Sequence, residues 1–235
     1  MYSGSSYPLP ISHRGLHSER PENSIPAFVA AIDAGAKAIE LDIHATADDV
    51  LFVHHDPGLL INDTVVPFTS LDSSDLARLS LPGDVAIPTL DDALTAIGSR
   101  ADVFIEIKAA GIENAVARCL RRHHPNAERY AVHAFDHRIV KRMLELTSSV
   151  RTGILQVSYL IDTRSVMRQT GASDLWQHAD FIDAPLVADV HAAGGRVIAW
   201  TPNAEEQWEE LLTLGVDGIC TDRIDSHVGW IESHL

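Results

Sequence analysis

Two short stretches place ionisable groups two residues apart inside aliphatic runs: Ile39-Glu40-Leu41-Asp42-Ile43 and Phe104-Ile105-Glu106-Ile107-Lys108. Side chains alternate along a strand, so Glu40 and Asp42 share one face, about 6.6 Å apart, and Ile39, Leu41 and Ile43 share the other. Glu106 and Lys108 share a face in the same way. If the aliphatic faces pack on helices, the carboxylates point inward, where like charges repel and raise a pKa unless something positive lies between them. Three carboxylates from two strands make an oxygen cage suited to Mg²⁺ or Ca²⁺, completed by water and substrate. The set lacks the closely spaced His and Cys of a zinc site. The plainer alternative, carboxylates facing water on edge strands, would have to hold for both aliphatic-flanked pairs at once. A second polar set, His13, Arg14, Glu22 and Asn23, lies in the connecting stretch Ser12 to Ser24.

Strand and helix signals alternate along the whole chain. Ile11 to His13 closes a first strand, and a helix follows over Ala27 to Ala36, capped by Asn23 or Ser24 and ended at Gly35. The strand Ala38 to Ile43 is joined to Leu51–His55 by so short a turn that the two must form an antiparallel hairpin. Residues 57 to 88 read as an irregular insertion with one helical turn near Asp75 to Leu79. Further strands are expected over 103–108, 130–135, 152–156, 181–183, 196–200 and 218–221. Helices are expected over 90–97, 113–123, 138–146, 162–169, 187–193, 205–214 and 227–234. Without the hairpin arm, eight parallel strands separated by helices fit a closed (β/α)8 TIM barrel better than an open sheet. The expected fold is therefore α/β, one TIM-barrel domain over residues 1–235 with a short hairpin and insertion after strand two. Catalytic groups in such a barrel sit where strands end and loops begin, and both polar sets fall there.

Composition narrows the function. The chain has 235 residues, 46% of them hydrophobic, enough for a real core. Asp and Glu outnumber Lys and Arg 33 to 18, a net charge of −15, which argues against nucleic-acid binding through phosphate contacts. No apolar run approaches the roughly 20 residues of a membrane span, and Met1 to Ser6 lack the features of a secretory signal. The two cysteines, Cys119 and Cys220, read as buried free thiols. A cytoplasmic location is expected; the sequence sets no oligomeric state.

The motifs and their order resemble those of the glycerophosphodiester phosphodiesterase family. His13-Arg14-Gly15, five residues, then Pro21-Glu22-Asn23-Ser24 matches its opening signature. Gly35-Ala36, Ile39 to Asp42, Thr46, His55-Asp56 and Ile105 to Lys108 match in turn. Ala199-Trp200-Thr201, Gly215 to Ile219 and Thr221-Asp222-Arg223 complete the series. Departures are mild: Ser24 for Thr, Asp49 for a turn Gly, Ile224 for Pro, and Asn62-Asp63-Thr64 in a loop that often carries Arg.

The resemblance implies metal-dependent hydrolysis of glycerophosphodiesters to glycerol 3-phosphate and an alcohol, a small-molecule substrate. Glu40, Asp42 and Glu106 would hold the cation, which would polarise the phosphoryl oxygen. His13 and His55 would be the general acid-base pair, in either order. His55, which directly precedes Asp56-Pro57, is the family's histidine rather than His54. Arg14 would brace non-bridging oxygens and Lys108 would stabilise developing charge. Glu22 and Asn23 would support the site or touch the glycerol side, and Trp200 is either cleft wall or core. Asp222 anchors a loop or touches substrate. Of the other histidines, His44 faces away from the carboxylates and His133 reads as a satisfied interior residue. His17, His123, His124, His137, His178, His227 and His234 read as solvated. Two rival enzymes remain, a sphingomyelinase D-like phospholipid phosphodiesterase of the same fold and a Schiff-base aldolase using Lys108.

Overall fold

The structure, a computed structural model, describes residues 7–235, without side chains for 124–126. The expectations for Met1 to Ser6 and for the His124 side chain lie outside the described residues. Eight parallel strands close on themselves: β1 (Leu9–His13), β2 (Ala38–Ala45), β3 (Asp102–Ile107), β4 (Tyr130–Ala134), β5 (Arg151–Gln156), β6 (Asp174–His178), β7 (Arg196–Trp200) and β8 (Gly218–Thr221). Closure is the pairing of β1 with both β2 and β8. Each strand is followed by a helix: α1 (Ile25–Asp33), α2 (Leu90–Ile97), α3 (Glu113–Arg122), α4 (His137–Leu146), α5 (Thr163–Thr170), α6 (Ala184–Ala192), α7 (Glu205–Leu214) and α8 (Ile224–Ser233). The (β/α)8 barrel expected from the alternating pattern is the fold observed.

Strand alternation divides the core into two layers. Ile39, Leu41, Ile43, Val103, Ile105 and Ile107 pack outward with the helices, while Leu9, Ile11, Ala38, Phe104, Ala131, Leu155, Trp176, Ile198 and Cys220 fill the barrel interior. Glu40 and Asp42 share parity with Ala38, and Glu106 with Phe104, so all three carboxylates point inside. Register does the rest. His13 pairs with Glu40, Asp42 with Glu106, and Glu106 with His133, across four adjacent strands.

Leu51–Val53 pairs antiparallel with the end of β2, as the short connection requires. The insertion is more ordered than its composition suggests. It holds a hairpin of Gly58–Ile61 with Thr64–Pro67, a second of Ser80–Leu81 with Val85–Ala86, and a helical turn at Ser73–Leu76 rather than 75–79. Asn62 and Asp63 turn the first hairpin at φ 50° and 62°, a left-handed geometry these residues tolerate. Phe52, Phe68, Leu76 and Ile87 form a small core beneath it.

Two further expectations need correcting. The sixth strand is Asp174–His178, not 181–183, where the chain leaves a short 3₁₀ turn. Polar residues hide the strand: Asp174 is fully buried yet held by Arg196 of the neighbouring β7 at 2.9 and 2.7 Å. The next helix starts at Ala184 because Asp183 caps it by accepting from the Leu186 N–H, with a proline in the first turn. The last helix likewise begins early, at Ile224.

His227, expected in solvent, is 0% exposed and lies between Trp208 (ring centroids 4.8 Å apart) and Trp230 (6.0 Å). Neither ring nitrogen has a hydrogen-bond partner. Burial lowers its pKa from 6.5 to about 4. The unfolded chain therefore binds the proton first as pH falls, and stability is lost between about 6.5 and 4, by about 3 kcal/mol for this shift. Urea unfolding of His227→Leu should show a shallower loss of stability from pH 7 to 4.5 than the native sequence. Equal slopes would refute a buried neutral imidazole.

Candidate active site

The loop after β1 is shaped by its backbone. Arg14 and Asn23 take left-handed φ values of 58° and 54°, and Gly15 takes 85°. A Cβ on Gly15 would lie 2.7 Å from the Ala27 backbone, so only glycine fits. The Arg14 N–H donates to the Glu40 carbonyl (3.0 Å) and the Asn23 N–H to the Arg14 carbonyl (3.0 Å), tying the loop to β2 and to itself. Ser24 then caps α1 by accepting from the Ala27 N–H.

These turns aim side chains at Asp42, which is 0% exposed. Asn23 grips it twice: its amide donates to Oδ2 (2.9 Å) and its carbonyl accepts from the Asp42 N–H (3.2 Å). Arg14 Nε lies 3.0 Å from Oδ2, and Lys108 Nζ lies 3.3 Å from Oδ1. Burial opposes the charge on Asp42, but Arg14, Lys108 and Asn23 together hold its pKa below the usual range. Asn23 thus faces Asp42. Glu22 meets the outer side of Arg14 at 3.1 Å.

Glu40 and Glu106 are less well served. Burial, then the charge of Asp42, raises each to about 7. Lys108 reaches Glu106 Oε1 at 2.8 Å, but Glu40 Oε2 has no hydrogen bond and His13 Nε2 is 3.9 Å away. His133 belongs to this cluster, with Nε2 3.6 Å from Glu40 Oε1 and its ring stacked 4.2 Å from Trp176. Ligand atoms of Glu40, Glu106 and His133 lie within 4.8 Å of one another. Oxygen donors with an unpaired buried oxygen fit a hard cation. Lys108, though desolvated, is pulled above its ordinary pKa by Glu106 and Asp42, the opposite of what a Schiff-base nucleophile needs.

Both histidines singled out from the sequence are held the same way. His13 Nδ1 donates to Asp222 Oδ1 (2.6 Å), leaving Nε2 toward Glu40, and His55 Nδ1 donates to Asp56 Oδ1 (2.9 Å). Asp222 is fixed by Asn203, whose amide donates to Oδ2 (2.7 Å), and His17 Nε2 approaches its other oxygen at 3.4 Å. Burial would raise Asp222, but the bonds from His13 and His17 hold it well below the carboxylate range. Asp222 therefore touches His13. Barrel closure, which pairs Ser12 with Thr221, is the signal that could have found it. His54 turns to Phe68, at 5.4 Å between centroids. His44 shares parity with Glu40 and Asp42 on β2, so alternation does not turn it away from the carboxylates as expected; its ring stacks on Phe68 and donates to the His55 carbonyl (3.1 Å).

A cavity of about 270 Å³ opens over these groups. His13, Arg14, Glu40, His55, Glu106 and Lys108 line it on one side, and Phe135, Leu155, Trp176 and Trp200 on the other. Trp200 is a wall of the cleft, edge-on to Phe135 and His178 at 5.7 and 5.2 Å.

The sequence profile of the glycerophosphoryl diester phosphodiesterase family matches residues 13–226. The chain belongs to this family. Membership makes it an enzyme of the phosphodiesterase class. A relative named "Probable glycerophosphodiester phosphodiesterase 2", from Mycobacterium tuberculosis, is 34% identical across 92% of this chain and 88% of its own. A glycerophosphodiester phosphodiesterase from Caldanaerobacter subterraneus subsp. tengcongensis is 29% identical across 91% and 93%. Among solved structures, an Oleispira antarctica phosphodiesterase in complex with the product sn-glycerol-3-phosphate superposes with a TM-score of 0.88, covering 96% of this chain and 97% of that one at 23% identity. No helix among the described residues is long and apolar enough to cross a membrane.

The raised pKa of Glu40 carries a stability consequence. The folded chain keeps the proton up to about pH 7 while the unfolded chain loses it near 4.5, so ionisation costs stability as pH rises through that window, by about 3 kcal/mol at most. In chelator-treated protein, Glu40→Gln should unfold at a higher temperature than the native sequence at pH 8 and at nearly the same temperature at pH 5. A less stable variant at pH 8 would contradict the strained carboxylate.

Proposed function

We propose that the protein hydrolyses glycerophosphodiesters to glycerol 3-phosphate and an alcohol, using Mg²⁺ or Ca²⁺ held by Glu40, Asp42 and Glu106. The observation that carries the reading is the pair of imidazoles, His13 and His55, opening on one cavity with the buried carboxylates. Each has its Nδ1–H fixed on an aspartate, which leaves Nε2 to exchange a proton with substrate. A bound cation would polarise the phosphoryl oxygen and offset the crowded negative charge. Arg14 presents a planar fork to the non-bridging oxygens, and Lys108 adds a charge where negative charge builds. One imidazole takes the proton of the attacking hydroxyl and the other gives one to the departing alkoxide. The apolar wall of Phe135 and Trp200 receives the part of the substrate away from the phosphate. The free buried thiols Cys119 and Cys220 accord with a cytoplasmic setting.

Chelator-treated protein should lose nearly all activity toward glycerophosphocholine and regain it with Mg²⁺ or Ca²⁺. Full activity in metal-free buffer would sink the cation's role. Sphingomyelin offered in the same assay separates the rival phospholipid activity.

His55→Ala should lower the rate by about 10²- to 10⁴-fold at saturating metal, whereas His54→Ala, which removes only packing on Phe68, should cost far less. Circular dichroism guards against unfolding. The reverse ranking would reassign the acid-base pair.

A further inference from the structure

Away from the barrel mouth, three ligand types meet between two outer helices. Asp91 lies in the first turn of α2. Cys119 lies in α3 and His123 caps its end, four residues apart and so on one helical face. His123 Nε2 is 3.1 Å from Asp91 Oδ1, and the Cys119 sulfur stands beside both. The ligand atoms of the three residues all lie within 4.8 Å of one another. The thiol is buried, while the Asp91 and His123 side chains are 45% and 18% exposed, so an ion has a way in from solvent. Arg122 donates to both oxygens of Asp91 and fixes its carboxylate beside the thiol and imidazole. The hydrolytic cavity is lined by none of these residues.

We infer that Asp91, Cys119 and His123 form a second metal site, for a thiophilic divalent cation of the zinc class, with water completing the coordination. Sulfur, imidazole and carboxylate together select such an ion over Mg²⁺ or Ca²⁺. Donor atoms around tetrahedral zinc stand roughly 3.5 Å apart. The imidazole–carboxylate pair is already that close, and the third ligand atom lies within 4.8 Å of both. On binding, the thiol releases its proton to solvent and a metal–sulfur bond forms; the neutral imidazole carries its proton on Nδ1 and gives its Nε2 lone pair to the ion. Burial, and then the charge of Asp91, pushes the Cys119 thiol up to about 12, so the cation supplies the charge that makes the thiolate possible. One proton leaves for each ion bound, and affinity rises with pH.

Co²⁺ titration of the chelator-treated full chain tests this without any activity measurement. A thiolate-to-cobalt charge-transfer band should grow to one thiolate-bound ion per chain, be displaced by Zn²⁺, and weaken as pH falls. Cys119→Ser and the more exposed His123→Ala should each abolish it. Cys220→Ser, which removes the cavity thiol, and Glu40→Gln should keep it. No band with the folded native chain, or a band that survives either Cys119→Ser or His123→Ala, overturns the assignment.

Discussion

A carboxylate removed from water holds its charge only where cations and donors surround it, and Asp42 at the centre of the barrel imposes that condition on much of the structure. Arg14 and Asn23 from the loop after β1 and Lys108 just beyond β3 all converge on its two oxygens. The left-handed turn at Arg14, the glycine after it and the left-handed Asn23 deliver the side chains to that point. Breaking such a buried pair costs about 3–5 kcal/mol, against about 0–1 kcal/mol for surface bridges such as Arg142 with Glu145. Arg14 and Asn23 go to Asp42, and Lys108 is shared between Asp42 (3.3 Å) and its register partner Glu106 (2.8 Å). Under burial and the charge of Asp42, Glu40 and Glu106 are left with raised pKa values of about 7. The three neighbouring acids thus divide charge unevenly, and the proposed cation site rests on that unevenness.

Much of this was legible in residue order. Strict alternation in Ile39 to Ile43 and Phe104 to Lys108 fixed which side chains face inward, because aliphatic residues have only one place to go. The hairpin followed from a connection too short for a crossover. What stayed hidden depended on contacts between distant segments. Asp222 reads equally as a loop anchor or a substrate contact because its partner, His13, stands 209 residues earlier. His133 reads as a satisfied interior residue because only the pairing of Glu106 with His133 brings it to the acids. Strand β6 was misplaced because Asp174, Gln177 and His178 make it read as polar, although Asp174 is neutralised by Arg196 on the next strand. His227 was misjudged for a related reason: helical periodicity does not reveal that two tryptophans enclose it.

The other half of the cavity follows a different logic. Trp176 enters the barrel from β6 and meets Gly153 on β5, where a Cβ would come within 2.9 Å of the indole. That missing atom lets the ring lie flat against His133 at 4.2 Å, and burial holds this imidazole neutral, with its pKa lowered to about 4. Phe135 and Trp200 continue the aromatic surface outward. Charge on one side and aromatic faces on the other give the cleft a fixed polarity, so a molecule with one anionic and one less polar end has a preferred orientation.

The bond between His13 and Asp222 spans nearly the whole chain, and its geometry exists only when β8 has docked against β1. During synthesis the first strand emerges long before its partner, so the His13 ring has no orienting carboxylate until the chain has grown another 209 residues. A nascent chain that has passed Glu106 but not β8 carries the three acids and Arg14 while His13 still lacks Asp222. That contact is therefore coupled to topology: it cannot form until the cylinder is sealed, so one bond reports on the closure of the whole barrel.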